Sequence, residues 1–478
     1  MWVAECSGMS GVEELSREDL VRLVVEQVVE LEALAARVAS LEEENDRLRA
    51  ALESRPPSAP PAPPCWVKAN RPREGRTKKA RKPRGEAFVR EREEPTEVVV
   101  HFVEECPDCG RSLSGGWVHH RREVIDLPVM RYVVRDHVVL GRYCGVCHKN
   151  WVPKLDVSSE VLGQHRMSLR VMAVVAYLRT ECRMPLAGVQ HLLEGLYGLR
   201  ISEGEIVGLS HEVAQLGQAE YEGLLSEIRS SGVVHADETG WREDGVNGYV
   251  WVFATPTAQL FLRDPSRASR VAREALGDEF DGILVSDFYS GYSPLMSEKQ
   301  RCWVHLLRDL KALVESHPTS KNVASFVERA RGLYDQAKAY REEQLGQAPS
   351  ESTKVVNPLS RAAGVRARMR AKFEGALTKL ARPHLKQAGD PCRVLAERMA
   401  KFASELLVFV EHPEVPPDNN RAERSLRAVV VARKVSGGTR SPKGSTTMSI
   451  LRSLFGSWKL RGSDPLEACQ RLVATPAI

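Results

Sequence analysis

Two short apolar runs that each end on a carboxylate constrain the fold of this chain more than any other feature. Residues 233–236 (Val-Val-His-Ala) lead into Asp237, and residues 282–286 (Gly-Ile-Leu-Val-Ser) lead into Asp287. Both runs read as strands, and two strands that each deliver an acid at their end bring a carboxylate pair to one edge of a sheet. Residues 248–255 and 259–262 read as further strands of an antiparallel meander, and a helix over 266–276 leads back to the second acid. Because side chains alternate along a strand, Asp237 and Glu238 face opposite ways, so only one of them can enter a shared site.

A third acidic segment lies at residues 418–427, Asp-Asn-Asn-Arg-Ala-Glu-Arg-Ser-Leu-Arg. Pro417 and the Asp/Asn cluster mark a helix start. Helical spacing then puts Asn420, Glu423, Arg424 and Arg427 on one face. A carboxylate flanked by cations suits a metal-bound phosphate site, while a surface helix with ion pairs explains Glu423 and Arg427 equally well. The 135 residues between Asp287 and Glu423 contain helical patterns over 321–345 and 358–410, so an all-helical insertion at about 318–412 is expected. Residues 361–386 carry eight Lys or Arg against Glu374, the footprint of a surface for a phosphate backbone. His305, in Cys302-x-x-His305, reads as a group behind the site, a contact to a scissile phosphate, or a packed core histidine. Arg433, Lys434 and Arg440 around Gly437 and Gly438 read as a basic loop holding DNA near the site. Residues 449–460 and 465–473 read as packing helices, with Trp458 in the core.

At 478 residues the chain has room for two to four units. Near the N-terminus, Val24, Leu31, Val38, Asn45 and Leu52 occupy heptad a positions; Leu20, Gln27, Leu34, Leu41 and Leu48 occupy d. Leu at most d positions with one Asn at a is the pattern of a two-stranded parallel coiled coil, so a homodimer or higher oligomer is expected. A Pro/Ser/Ala-rich stretch follows, and then residues 68–84, with nine Lys or Arg against Glu74. Such a block neutralises phosphates and supplies affinity without sequence information. Cys106 and Cys109 form one C-x-x-C pair, and Cys144 and Cys147 form a second, 34 residues on. Four thiolates close a tetrahedral structural zinc site with no open position. The Val-rich alternation over 123–139 predicts ribbon strands between the pairs. Helices are predicted over 168–183, 185–197 and 202–216, the last opened by the capping box Ser202-x-x-Glu205. Two helices joined by a tight Gly-containing turn are a helix-turn-helix candidate or an ordinary hairpin, and the acidic second helix is a poor groove reader. The net charge of +5 is mild. The strongest apolar run, residues 171–178, is far short of the roughly 20 a membrane span needs, and no secretory leader opens the chain. A cytoplasmic protein with reduced thiols is expected, which again favours metal over disulfides.

Taken together, residues 235–241 (His-Ala-Asp-Glu-Thr-Gly-Trp), 286–292 (Ser-Asp-Phe-Tyr-Ser-Gly-Tyr), 302–308 (Cys-Trp-Val-His-Leu-Leu-Arg) and 418–424 resemble the motifs of the insertion-sequence-66 family of bacterial transposases. The resemblance extends over nearly the whole chain and implies a DDE transposase with a ribonuclease-H-like core, its acids at Asp237, Asp287 and Glu423. Asp418, also within the shared motif, is a rival for the third acid. One departure stands at 435–438, Val-Ser-Gly-Gly, where many relatives carry a bulkier aromatic stretch. The expected fold is multidomain α+β. It comprises a coiled-coil helix at 13–54, a basic linker at 55–96, a zinc module at 97–155 and a helical DNA-binding-like segment at 158–230. An α/β catalytic domain at 231–445 and C-terminal helices at 446–478 complete it.

The chemistry agrees with the resemblance. Cutting and joining DNA is in-line displacement at phosphorus, served by two metal ions about 3.5–4 Å apart. Mg²⁺, or Mn²⁺ in its place, takes carboxylates and keeps waters, which suits three acids, with Asp237 bridging both ions. The expected partners are the terminal repeats of a mobile element, target DNA, and companion proteins of the same element. The protein would then be nucleoid-associated when bound. A decayed DNA-binding protein, or a nuclease of the same fold without joining activity, are the alternatives.

Overall fold

The computed structural model describes residues 17–53, 94–346, 358–387 and 389–474. It divides into two compact units, Met1–Ile125 and Asp126–Ile478. The 68–84 basic block, most of the 55–96 linker and the ends of the 13–54 segment lie outside the described residues.

In the first unit, α1 spans Arg17–Glu53 as one unbroken helix. Its heptad residues Val24, Leu31, Leu34, Val38 and Leu41 are all exposed, so the apolar stripe has no partner within this chain among the described residues. Further on, a tight turn closes around Cys106, whose N–H donates to the Arg111 carbonyl at 2.8 Å while Gly110 N–H donates back to the Cys106 carbonyl at 2.8 Å.

The second unit begins with β1 (Arg142–Cys144) and β2 (Lys149–Trp151), a short antiparallel pair holding the second cysteine turn. The strands expected over 123–139 do not form: residues 114–141 carry none. Their alternating apolar side chains, among them Val124, Val129, Val133 and Val138, lie exposed. Alternation alone cannot make a strand without a ladder partner and a layer to cover its apolar face.

Next come α2 (Leu169–Thr180), α3 (Leu186–Tyr197), α4 (Glu203–Leu216) and α5 (Gln218–Arg229). The helix starts follow their caps. Ser168 and Ser202 accept the N–H groups of Val171 and Glu205, and α3 stops at Gly198, whose φ of 73° only a residue tolerant of the left-handed region takes up. Among the described residues of its first turn, α4 exposes Glu203 and Glu205 and no cation.

A five-stranded sheet forms the centre, built from β3 (Val233–Glu243), β4 (Val246–Ala254), β5 (Gln259–Asp264), β6 (Ile283–Ser286) and β7 (Lys299–Arg301) in the order β5-β4-β3-β6-β7. The first three make the expected antiparallel meander, and Asp244 and Gly245, with φ of 50° and 78°, close the tight β3–β4 hairpin. Helix α6 (Ser269–Leu276) carries the chain across to β6, which pairs parallel to β3, as β7 does to β6.

Alternation assigns each strand residue to a layer. Trp251 and Phe253 pack with α2, α4 and the C-terminal helices α14 (Pro442–Leu460) and α15 (Pro465–Ala474). Val250, Val252 and Ala254 face the other way, against Ala422, Leu426 and Val429. Those three residues belong to α13 (Asn420–Ser436). The sheet is therefore covered by helices on both faces.

Between β7 and α13 the chain is helical: α7 (Trp303–Ser316), α8 (Lys321–Gly346), α9 (Pro358–Ala381), α10 (Arg393–Lys401), α11 (Ala403–Leu406) and α12 (Val408–Glu411). They share one core with Ile283 and Val285 of β6. The helical pattern over 358–410 is broken after Ala381, where Pro383 cannot donate its missing N–H and Gly389, at φ 79°, turns the chain. No helix among the described residues is long and apolar enough to cross a membrane.

Candidate active site

Asp237 and Asp287 are brought level by strand register. In the parallel pair, Val233 faces Ile283, Val234 faces Leu284 and His235 faces Val285. Continuing that register by two residues places Asp287 beside Asp237, beyond the last β3–β6 pair; β6 has ended there, whereas Asp237 lies within β3, opposite Val252 of β4. Both follow the odd-numbered alternation, so they lie on the face covered by α7 and α13. Glu238 points to the opposite face. There it is buried and accepts hydrogen bonds from Arg267 and from the Tyr292 hydroxyl.

Glu423 reaches the acids from the first turn of α13. A continuous set of hydrogen bonds fixes that helix start. Cys302 N–H donates to the Ser286 carbonyl at 2.9 Å, at the end of β6. The Cys302 sulfur accepts the Asn419 N–H at 3.2 Å, and the Asn419 amide donates to the Ala236 carbonyl at 2.8 Å. Asn419 Oδ1 meets His235 Nδ1 at 3.1 Å. Both Asn419 and Cys302 have 0% exposure, so these bonds are shielded from water. The four recognisable motifs are thus tied into one ring.

The electrostatics match this convergence. Burial pushes the Asp237 carboxyl up to about 7, and the charges of Glu238, Asp287 and Glu423 add to it. Burial also pushes His235 down to about 4, so it stays neutral and serves as a hydrogen-bonding post. Asp418 stands apart: its carboxylate accepts the Asn420 N–H at 3.0 Å, in the turn that leads into α13.

A buried Asp237 carboxyl pushed up by burial and by the charges of neighbouring carboxylates marks a donor set for hard divalent cations, which would offset both. A second sign of fit is that Oε1 of Glu423 is buried with no hydrogen-bond partner. The ring of donors has a strained alternative only if no cation enters, since an unmade buried carboxylate oxygen costs about 1–3 kcal/mol or more.

The other expected contacts divide. Arg424, Arg427, Lys434 and Arg440 are exposed, while Asn420 is half-buried on the same helix. Arg433 instead turns inward, donating to Thr239 Oγ1 at 3.2 Å and to the Gly240 carbonyl, so it braces β3. The 437–440 loop is likewise held against the sheet. Thr439 N–H donates to the Arg242 carbonyl at 2.9 Å, and a Cβ on Gly438 would lie 2.1 Å from that same oxygen. Sequence reasoning missed Arg301, Asn419 and the Arg267–Tyr292 pair. Arg301, fully buried in β7, donates to the Asp287 carbonyl at 2.7 Å and pairs with Glu405 at 2.6 Å. A basic residue in a strand of three gave no signal of such a role.

In each of the two cysteine turns, backbone N–H groups point at the first thiol. N–H groups of Asp108 and Cys109 hold the Cys106 thiol below its ordinary value, and those of Cys147 and Val146 do the same for Cys144. His148 is engaged with the Tyr143 hydroxyl at 2.9 Å.

Comparison with known proteins decides the family. The profile described as "Transposase IS66 family" matches residues 164–447, more than half of the chain. The chain belongs to the IS66 transposase family. All of the acids, together with Cys302, His305 and Asn419, fall inside the matched IS66 region. Two proteins of Sinorhizobium fredii (strain NBRC 101917 / NGR234) are similar to it. The uncharacterized protein y4jD is 23% identical over 373 residues, covering 72% of this chain and 69% of that protein. The uncharacterized protein y4jO is 28% identical over 182 residues, covering 38% of this chain and 49% of its own length. Membership of this family makes DNA the expected macromolecular partner and a divalent ion the expected cofactor.

Proposed function

We propose that this IS66-family protein is a DDE transposase that cuts DNA at element ends and joins the freed strand to target DNA. The observation that carries the reading is the convergence of Asp237, Asp287 and Glu423 on one face of the β3–β6 edge, with Asp237 pushed up to about 7. The sheet order, an antiparallel meander followed by two parallel strands with helices on both faces, supports a ribonuclease-H-like core.

In this reading Asp237, Asp287 and Glu423 would together hold two Mg²⁺ or Mn²⁺ ions. Bound there, the ions would activate the attacking oxygen and stabilise the leaving one. Asn419 and Cys302 keep the start of α13 against β3 and β6, so Glu423 stays at its post. Arg301 holds the backbone at Asp287. The exposed Arg424, Arg427, Lys434 and Arg440 neutralise DNA phosphates. Eight basic residues in and after α9 were expected to extend this surface. Arg370 is taken up by Glu298, Glu374 and Glu411, and the half-buried Arg366 donates to the Glu411 carbonyl at 2.9 Å, which leaves exposed Arg368, Lys372, Lys379, Arg382 and Lys386 for that role; the Arg361 side chain lies outside the described residues.

We further propose that Cys106, Cys109, Cys144 and Cys147 hold one structural Zn²⁺, and that α1 pairs with its copy in a second chain. The spacing of the cysteines and the exposed heptad stripe support these two assignments. Terminal repeats, target DNA and companion proteins of the same element are the proposed partners, in the cytoplasm and on the nucleoid.

The test is a strand-cleavage and strand-transfer assay on labelled element ends with Mg²⁺. Asp237→Asn, Asp287→Asn and Glu423→Gln should each abolish both steps and leave DNA binding within about threefold, because phosphate contacts carry affinity. Wild-type cleavage by all three variants would overturn the metal mechanism. Cleavage without joining by the wild-type protein would identify a nuclease, and binding without cleavage a decayed copy.

A further inference from the structure

Two buried polar atoms beside the acids lack a hydrogen-bond partner: Nδ1 of His305 and Oε1 of Glu423. They lie 3.8 Å apart, beyond hydrogen-bonding range, and neither turns elsewhere for a partner. With the Cys302 sulfur they form a group of three atoms within 4.8 Å of one another. Buried polar atoms left without a partner are unfavourable, so both are open to a ligand. Two donors bound to one ion at about 2.1 Å stand roughly 3.0–4.2 Å apart, and 3.8 Å falls inside that interval.

The elements deliver these donors from fixed positions. His305 lies in the first turn of α7 and Glu423 in the first turn of α13. The two helix starts are locked by Trp303 N–H on the Pro417 carbonyl at 2.9 Å and by Asn419 N–H on the Cys302 sulfur at 3.2 Å. Cys302 is therefore occupied in holding the two helices together, which leaves the imidazole and the carboxylate as the free pair.

We propose that His305, through Nδ1, is a ligand of the same divalent ion as Glu423. This rests on the reading of Asp237, Asp287 and Glu423 as metal-holding acids and adds a nitrogen donor to an otherwise oxygen set. Oxygen-only sites suit Mg²⁺, whereas imidazole favours first-row transition ions, so the consequence is a preference for Mn²⁺ over Mg²⁺ at the Glu423 position.

The experiment titrates the full-length protein with Mn²⁺ and with Mg²⁺ by calorimetry and records electron-spin-echo modulation of the bound Mn²⁺. Wild type should show ¹⁴N modulation from a coordinated imidazole. His305→Gln should lose that modulation and bind Mn²⁺ at least about tenfold more weakly, with a smaller loss for Mg²⁺. His305→Asp, which restores an oxygen donor, should bind both ions without the nitrogen signal and shows that the fold survives. Bound Mn²⁺ without nitrogen modulation in the wild type, or modulation unchanged in His305→Gln, overturns the assignment while the three acids stand. Failure of the wild type to bind either ion overturns the acid reading and the assignment together.

Discussion

Asp237 shares its burial with three neighbouring carboxylates, and its proton records the arrangement. The carboxyl ionises at about 7 in the folded chain against 3.8 for a free aspartate. A raised acid binds its proton more tightly when folded, so its contribution to stability is full below the unfolded value and is lost as pH rises through the folded one. The metal-free protein should therefore lose on the order of 1–4 kcal/mol from this group between about pH 4 and pH 8, and Mg²⁺ at the upper end should restore it. Urea unfolding at the two pH values measures this. Asp237→Asn should flatten the slope, and Glu238→Gln should move it to lower pH, because Glu238 is the largest charge acting on Asp237. An Asp237→Asn protein with the wild-type slope would show that another group carries it. Asp418 belongs to a different class. Asparagine makes the same turn bond to the Asn420 N–H, so Asp418→Asn should cost only about a few tenths of a kcal/mol and keep cleavage. A dead Asp418→Asn beside an active Glu423→Gln would reassign the third acid.

At the scale of elements, the start of α13 is the piece on which the site depends. Asn419→Ala removes the amide that links it to β3 and leaves the Ala236 carbonyl and His235 Nδ1 unpaired. The expected loss is about 2–4 kcal/mol in urea, with cleavage falling further than DNA binding. The 437–440 loop offers a contrast. Gly438 sits at φ 131° with no room for a Cβ against the Arg242 carbonyl, so Gly438→Ala should destabilise by about 1–3 kcal/mol. At this one position of the 435–438 stretch the backbone itself fills the space that a side chain would need. Helix α1 makes the clearest prediction. Deleting residues 20–52 should turn a dimer into a monomer by sedimentation while the second unit stays folded, and an unchanged oligomer would show that other surfaces dominate.

For the whole molecule, metal content tests the proposed zinc module. One zinc per chain is expected, and loss of any one of the four thiolates should release it and unfold the local turns. Purified protein without zinc and with four reactive thiols at these positions would remove the assignment. Much of this organisation was legible in the chain. Strands leading into Asp237 and Asp287, the meander, the long α1 and the capped start of α4 all follow from local pattern, because each is set by neighbours a few residues apart; only β6 ends at its acid, whereas β3 runs on past Asp237 to Glu243. The alternation of Asp237 and Glu238 to opposite faces was legible for the same reason. Other features were not. Residues 123–139 alternate as strands do but pair with no strand among the described residues, and Arg433 carries a loop-like charge yet spends it on the backbone of β3. Sequence alone determined which residues could be strand, helix and acid, since steric preference and hydrophobic period act over short range. Tertiary structure alone decided that β3 lies parallel to β6, that Asn419 and Cys302 clamp Glu423 beside them, and that His305 stands unpartnered at 3.8 Å from it. Those contacts join residues 50 to 183 positions apart, and only packing in three dimensions brings such groups within reach of one another.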